Sequence, residues 1–423
     1  MKSPTSASRA WGDGLAAVLH SRTWLYLVPT TGLLLVLPVD HTTALRMIFL
    51  VLTALAALAF RESRDATHVP LLLPFAICFA VALVSVATAE NPGFSFDEVK
   101  KELFYGLVVY LGFFTLARSP RDLAAWLLAL LSGLLWLGLY VLIQGWRLDT
   151  LAFDGWHGGV LNYTVFVCTT FPLLFLSIFH PAIPTRWKVL AALSMLLSLY
   201  TVLLSVNRIS WVAIAASTAA CALLLAGTRA SRRLKWSALV LGIVLLGMCA
   251  GALSMAAKTR VAPQGSLEET VTLTMNQDPR KRLWAYSLQR IGESPWMGTG
   301  FGRMAQAHAF ARQFDNEAWL VHSHNLFLDY GIQMGIPGIL AFAGLFAAVL
   351  AQFWKLYRSR DFRVSLVGIA GLAIVAAVLL KSATDNQFVR HNALLFWALV
   401  GMGLGYGARL ARANREPGAP PAS

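Results

Sequence analysis

Three short polar clusters interrupt an otherwise apolar chain, and each holds side chains able to grip phosphate or move a proton. The first is Ser205-Val206-Asn207-Arg208-Ile209-Ser210-Trp211. A guanidinium offers a planar fork of donors that suits phosphate oxygens. Arg208 reads equally as a snorkelling cation that holds a tight turn at a membrane surface. The second is Asp278-Pro279-Arg280-Lys281-Arg282-Leu283-Trp284. Here three cations open a helix whose amino-terminal dipole is already positive, a conflict that a bound anion would relieve. The other reading is a basic face that binds lipid headgroups. The third is Val321-His322-Ser323-His324-Asn325. An imidazole at a helix start can cap the helix, or it can take a proton at neutral pH as a general base. His322 and His324 lack the i, i+4 spacing of a helical zinc site.

Weaker signals surround these three. Gly298-Thr299-Gly300-Phe301-Gly302 invites a nucleotide-binding reading, but no βαβ pattern flanks it, so it reads as a turn. Asp315-Asn316-Glu317 offers two carboxylates, a poor magnesium site. Asn162 and Asp385 are candidates for supporting roles, with Asp385 and Arg390 flanking the last loop and either pairing there or facing water.

What must hold these residues is a membrane bundle. Of 423 residues 57% are hydrophobic and 13% charged, against about 25% charged in soluble domains. A spanning helix needs about 20 mostly apolar residues. Twelve segments qualify, over 24–39, 44–60, 69–88, 103–117, 123–146, 160–179, 187–206, 209–227, 236–256, 337–357, 364–380 and 392–408. The first and fourth are the shortest. With both termini cytoplasmic, the loops on that side carry 20 of the 35 Lys and Arg, as the positive-inside rule requires. The net charge of +14 is thereby a matter of topology, not of nucleic-acid binding. Cys78, Cys168, Cys221 and Cys249 all lie in apolar stretches and predict neither a disulfide nor a metal site.

The expected organisation is a disordered cytoplasmic segment over 1–20, nine spanning helices within 21–256, and a large loop over 257–336. Three more helices follow within 337–410, then a cytoplasmic tail over 411–423. In the loop, helical stretches are expected from Pro279 to about Ile291 and over roughly Arg303–Phe314. A short amphipathic segment, His324–Met334, reads as re-entrant or interfacial, stopped by Gly335 and Pro337. The basic residues of this loop and Arg208 sit where topology needs no positive charge, so an anionic ligand would account for them.

His324-Asn325, nine further residues and then Gly335-Ile336-Pro337-Gly338 resemble the signature of bacterial O-antigen ligases. Arg282-Leu283-Trp284, followed by Pro295 and the glycine run, is similar to that family's large periplasmic loop, and Arg208 before Ser210-Trp211 to its arginine-bearing turn. The family often has a small residue after the turn arginine, where this chain has Ile209.

The resemblance implies an all-α, GT-C-like polytopic protein of the bacterial inner membrane, with its active site facing the periplasm. It implies an inverting glycosyltransferase that needs no metal and no cofactor. The donor would be O-antigen polysaccharide on undecaprenyl diphosphate, the acceptor a hydroxyl of the lipid A–core oligosaccharide, and the product mature lipopolysaccharide. His324 would be the general base. Arg208 and Arg282 would clamp the diphosphate with help from Arg280, while His322, Asn325, Asn162 and Asp385 would support them. Membrane lipids are further partners, nucleic acid is not expected, and the oligomeric state is left open. Two alternatives lie in the same superfamily, an O-antigen polymerase and a protein O-oligosaccharyltransferase. A transporter of lipid-linked glycan is an alternative of another class. The histidine signature favours a ligase, and the short tail is expected to leave no room for a further acceptor domain. Paired broken helices in matching halves, which a transporter would show, are not evident.

Overall fold

The computed structural model describes residues 22–39, 41–60, 68–148, 159–180, 183–205, 207–261, 279–314, 320–384, 386 and 388–413. The described residues are helical throughout, with connecting turns and no strand. Among them eight helices are long and apolar enough to cross a membrane. The bundle begins with α1 (Trp24–Val36), α2 (Thr43–Ala59) and α3 (Leu72–Val86), which are shorter apolar helices. Next come α4 (Pro92–Val99), a π-helical turn over Lys100–Phe104, and α5 (Tyr105–Leu116). Then follow α6 (Pro120–Leu148), α7 (Gly159–Phe179), α8 (Thr185–Leu204), α9 (Arg208–Ala226) and α10 (Arg232–Val261). Two loop helices, α11 (Arg280–Glu293) and α12 (Ala307–Gln313), the latter preceded by a 3-10 turn over Arg303–Gln306, lead into α13 (Leu326–Tyr357). The chain ends on α14 (Phe362–Ser382) and α15 (Arg390–Ala413).

A helix runs through each of the twelve expected segments, but those at 24–39, 44–60, 69–88 and 103–117 are shorter than the eight candidate spans. The four cysteines are buried, in α3, α7, α9 and α10. The 1–20 segment, the tail beyond 413, Asp278, Asp315-Asn316-Glu317 and Asp385 lie outside the described residues.

Short turns make successive helices antiparallel, so one end of the bundle collects the starts of α7, α9, α13 and α15 and the ends of α8 and α14. The loop helices sit at this same end, hereafter the loop end. They are amphipathic and carry a small core of their own. Leu283 and Ile291 of α11, Phe310 of α12, Phe314, Leu320 and Ile332 of α13 are buried together, with Trp284 and Tyr286 against them. That apolar contact fastens the loop to the bundle, because each face would otherwise stay in water.

The span expected from 337 and the amphipathic segment before it form one 32-residue helix, α13, broken at Gly335 (φ 68°, ψ −165°). The break follows from backbone accounting. Pro337 has no N–H, and the Ile336 N–H turns away to the Pro295 carbonyl at 2.7 Å. The carbonyls of Ile332 and Gln333 thus lose their helical donors. Thr299 N–H (3.0 Å) and Gly300 N–H (3.1 Å) replace them, and Gly302 N–H reaches the Gln333 side-chain oxygen at 2.8 Å. The glycine run is therefore a ribbon zipped to a broken helix. A side chain at Gly298 would collide with the backbone of Gln333, and one at Gly335 with that of Pro295. The nine-residue spacing from Asn325 to Gly335 is the length of helix between its cap and this seam.

Candidate functional site

The His322–Asn325 turn is built by two anchors. Asn325 caps α13, its side-chain oxygen accepting from Phe327 N–H (3.0 Å) and Leu328 N–H (3.1 Å). Its amide donates to the Ala383 carbonyl at 2.8 Å, tying the turn to the end of α14. The second anchor is Asp329, one turn into α13 and buried. Its carboxylate accepts from Ser323 N–H (2.8 Å), the Ser323 hydroxyl (2.5 Å) and the Asn386 amide (2.5 Å). His322 Nδ1 lies 3.2 Å from the same carboxylate. Three donors hold Asp329 as an anion, so Nδ1 carries the proton and donates to it. The His324 N–H, 3.1 Å from that nitrogen, is then a close neighbour without being its donor.

Between these anchors His324 takes a left-handed backbone (φ 54°), a conformation rare for a side chain of this size and one that recurs at functional sites. The two imidazoles stack with centroids 4.0 Å apart and planes 23° from parallel. Both are buried, at 5% and 7% exposure. Burial pulls the His322 pKa below the ordinary histidine value, with Asp329 opposing and Arg303 adding to the fall.

The basic helix α11 flanks this turn. Trp284 Nε1 donates to the Ser323 carbonyl at 3.1 Å. Arg280 Nε donates to the Thr384 carbonyl at 2.8 Å, next to the carbonyl that Asn325 holds. Arg282, between Arg280 and Trp284 in sequence, is exposed. Arg280 and Asn325 thus meet on the neighbouring carbonyls of Thr384 and Ala383, and Trp284 ties α11 to the turn that carries His322 and His324. Asn162 lies at the start of α7, where its side-chain oxygen accepts from Asn392 of α15 at 2.9 Å. Arg208 is the first residue of α9, at the same end of the bundle. There Ser210 O lies 3.7 Å from Cys168 Sγ of α7.

Arg303 counts among the basic residues of the loop and Arg390 flanks the last loop, but their partners here, and Asn386, Glu98, Glu102 and Lys381, were not read from the sequence. Arg303 Nη1 donates to the Asn386 carbonyl at 2.6 Å, while the Asn386 side chain holds Asp329. Glu98 of α4, which lies against Gly302 of the ribbon, and Glu102 of the π turn are both buried. Glu98 accepts from Lys101 (3.2 Å) and pairs with Arg390 (3.4 Å). Arg303 and Arg390 both face Glu102. The one available signal was Asn91-Pro92, a cap followed by proline at the first helical position, which announces α4. Lys381 at the end of α14 is also buried (1% exposed) and lines a small cavity with Thr169, Ser382, Phe388 and Asn392. Among the described residues no group of three His, Cys, Asp or Glu forms a metal-ligand set.

Residues 193–343 match the family of O-antigen ligases. The matched stretch runs from α8 into the second half of α13. It contains Arg208, Arg280, Arg282, His322, His324, Asn325 and Gly335, and leaves Asn162 and Asp385 outside. No curated protein matches the chain.

Proposed function

From the resemblance to the O-antigen ligase family, which the match over 193–343 bears out, we propose that this membrane protein is an inverting glycosyltransferase of the ligase type. A glycosyl-transfer enzyme is the kind that this family implies. The finer reading is transfer of O-antigen polysaccharide from undecaprenyl diphosphate to a hydroxyl of lipid A–core. The observation that carries it is the gathering of a basic helix start and a strained histidine turn around one loop, with Arg280 on Thr384 and Asn325 on Ala383.

The chemistry follows from those residue types. His324 accepts the proton of the acceptor hydroxyl as its oxygen attacks the anomeric carbon. The bond from that carbon to the diphosphate oxygen breaks, and undecaprenyl diphosphate leaves with the electron pair. One displacement inverts the configuration at that carbon. Arg208, Arg280 and Arg282 hold the diphosphate charge, so that the leaving group departs as a stabilised anion without a general acid. Both substrates are lipids held in one plane, which lowers the entropy of their encounter. The excess of Lys and Arg in the opposite loops supports a cytoplasmic location for both termini and a periplasmic site in the bacterial inner membrane.

The test is reconstitution of the purified protein in liposomes with undecaprenyl-diphosphate-linked O-antigen and lipid A–core, with and without chelator. Wild type is expected to yield lipopolysaccharide in both conditions, and His324→Ala none. Arg282→Ala is expected to lose roughly 10- to 100-fold in kcat/KM for the donor, the cost of about 1.5–3 kcal/mol for a charge-assisted contact. Lengthened donor chains without ligation would identify a polymerase instead. Full ligation by His324→Ala would reject the base.

A further inference from the structure

Asp329 has no part in the sequence signature, yet among the described residues it is the most heavily bonded carboxylate at the loop end. It accepts from Ser323 twice and from Asn386 once, and it takes the Nδ1–H of His322. Each bond ends on the turn that carries His324 or on the loop after α14. A buried carboxylate is costly unless its lone pairs are filled, and these four partners fill them. Their arrangement also has direction. The imidazole that Asp329 fixes lies face to face with His324 at 4.0 Å.

We propose that Asp329 is a positioning residue for this reaction: through His322 it sets the orientation of His324, and the anionic Asp329–His322 pair beneath that ring stabilises the imidazolium formed when the acceptor hydroxyl is deprotonated. The inference rests on the proposed role of His324 as base. The physics is that of a carboxylate behind a catalytic histidine, with one difference. The carboxylate grips the neighbouring imidazole, and the coupling crosses a stack and not a shared hydrogen bond. Because burial keeps His322 neutral near pH 7, the pair carries one negative charge. The charged groups facing the stack are Asp329 from α13 and Arg303 from the loop. Arg280 of α11 bonds the Thr384 carbonyl nearby, and Glu102 of the π turn interacts electrostatically with Asp329. Arg303, bonded to the Asn386 carbonyl, would offset the anion in the resting site.

Two variants test this in the reconstituted, full-length protein with the same two lipid substrates. Asp329→Asn keeps the shape and removes the charge. It is expected to lower kcat roughly 10- to 100-fold, the usual effect of removing a partner that orients a functional histidine. KM for donor and acceptor should stay within about twofold, since no substrate contact is lost. The acid limb of the kcat profile should move towards lower pH, because loss of a nearby anion weakens the base. His322→Phe keeps a flat ring in the stack and leaves the carboxylate in place. It should lower kcat without moving the acid limb downwards. Asp329→Asn with wild-type kcat, or with lowered kcat and an unmoved acid limb, overturns the proposal. Should Asp329→Asn fail to accumulate in the membrane, His322→Phe decides: lowered kcat at unchanged KM supports the proposal, and wild-type kcat overturns it. Failure of the parent reading looks different, since His324→Ala would then ligate whatever the other two variants do.

Discussion

Gly335→Ala should do more damage than any other glycine-to-alanine change in α13, and the amount can be worked out from its surroundings. At φ 68° and ψ −165° an L-residue is strained by about 1–3 kcal/mol. Its Cβ would also stand 2.8 Å from the Pro295 carbonyl carbon and 3.0 Å from that of Trp296. Both are backbone, so the ribbon must move bodily, at roughly 1–3 kcal/mol for overpacking. Movement there loosens the Ile336 N–H bond to Pro295 and puts the Thr299 and Gly300 bonds at risk, each worth about 1 kcal/mol. Strain and overpacking alone come to roughly 2–6 kcal/mol before any bond is lost, a large share of the roughly 5–15 kcal/mol that holds most folds. Gly344 supplies the control. It lies in the same helix, and a methyl group added there would meet nothing within 4 Å, so Gly344→Ala should be neutral or gain up to about 1 kcal/mol. Both variants would be purified in detergent and heated while intrinsic tryptophan fluorescence is followed, with inactivation half-lives measured in parallel. Gly335→Ala matching Gly344→Ala in both would refute the account of the seam.

Two further expectations concern stability. Asp122 near the start of α6 accepts from Ser119 N–H (2.7 Å) and Arg118 N–H (3.1 Å), and from the Tyr26 hydroxyl of α1 (2.9 Å). Asp122→Ala should cost about 2–4 kcal/mol through a lost cap and a stranded buried hydroxyl, read as a lower thermal midpoint with unchanged activity per folded molecule. The pH dependence has a defined sign. His322 is harder to protonate folded than unfolded, so the unfolded chain binds more protons as pH falls below the ordinary histidine value of 6.5. Thermal stability should decline from about pH 6.5 downwards through this group, and the same titration on His322→Phe should show a shallower fall.

The spanning helices were legible because length and hydropathy are local properties. So was the arginine-rich start of α11, since a run of three cations is visible without a fold. Glu98 and Glu102 were not. Asp97, Glu98, Lys100, Lys101 and Glu102 in succession look like a solvated stretch. Glu98 is buried where the ribbon at Gly302, some two hundred residues later, lies down on it, while Asp97, Lys100 and Lys101 keep much of their exposure. Asp329 was missed for a related reason: seven residues after His322, it gains meaning only when the turn folds back onto the helix it precedes. Gly335 belongs to a third kind. Its place in the motif was readable, but its reason, a helix broken to receive another strand of chain, was not.

The buried charges show which of these groups serve the fold and which serve something more. Arg46 is used by the fold: it reaches the Val36 and Val39 carbonyls at the end of α1. Asp122 is likewise a cap. Glu98, Glu102, Asp329 and Lys381 are also buried, but they collect at the loop end and not at scattered helix termini. Burying a charge in a membrane protein is expensive, and concentration at one end implies a common use. Lys381 tests that argument, because its cavity with Thr169 and Asn392 adjoins the Asn162–Asn392 bond and not the histidine turn itself. Lys381→Met preserves volume and removes the charge. For a lysine kept for function, stability should stay level or rise by about 1–3 kcal/mol, because an apolar replacement avoids the desolvation penalty. Ligation should nevertheless drop at least about tenfold, most of it in KM for the diphosphate donor, as expected when a cation leaves an anion site. A Lys381→Met protein that loses stability but ligates normally per folded molecule would make this lysine a structural strut, and would break the link between buried charge and function at this end of the bundle.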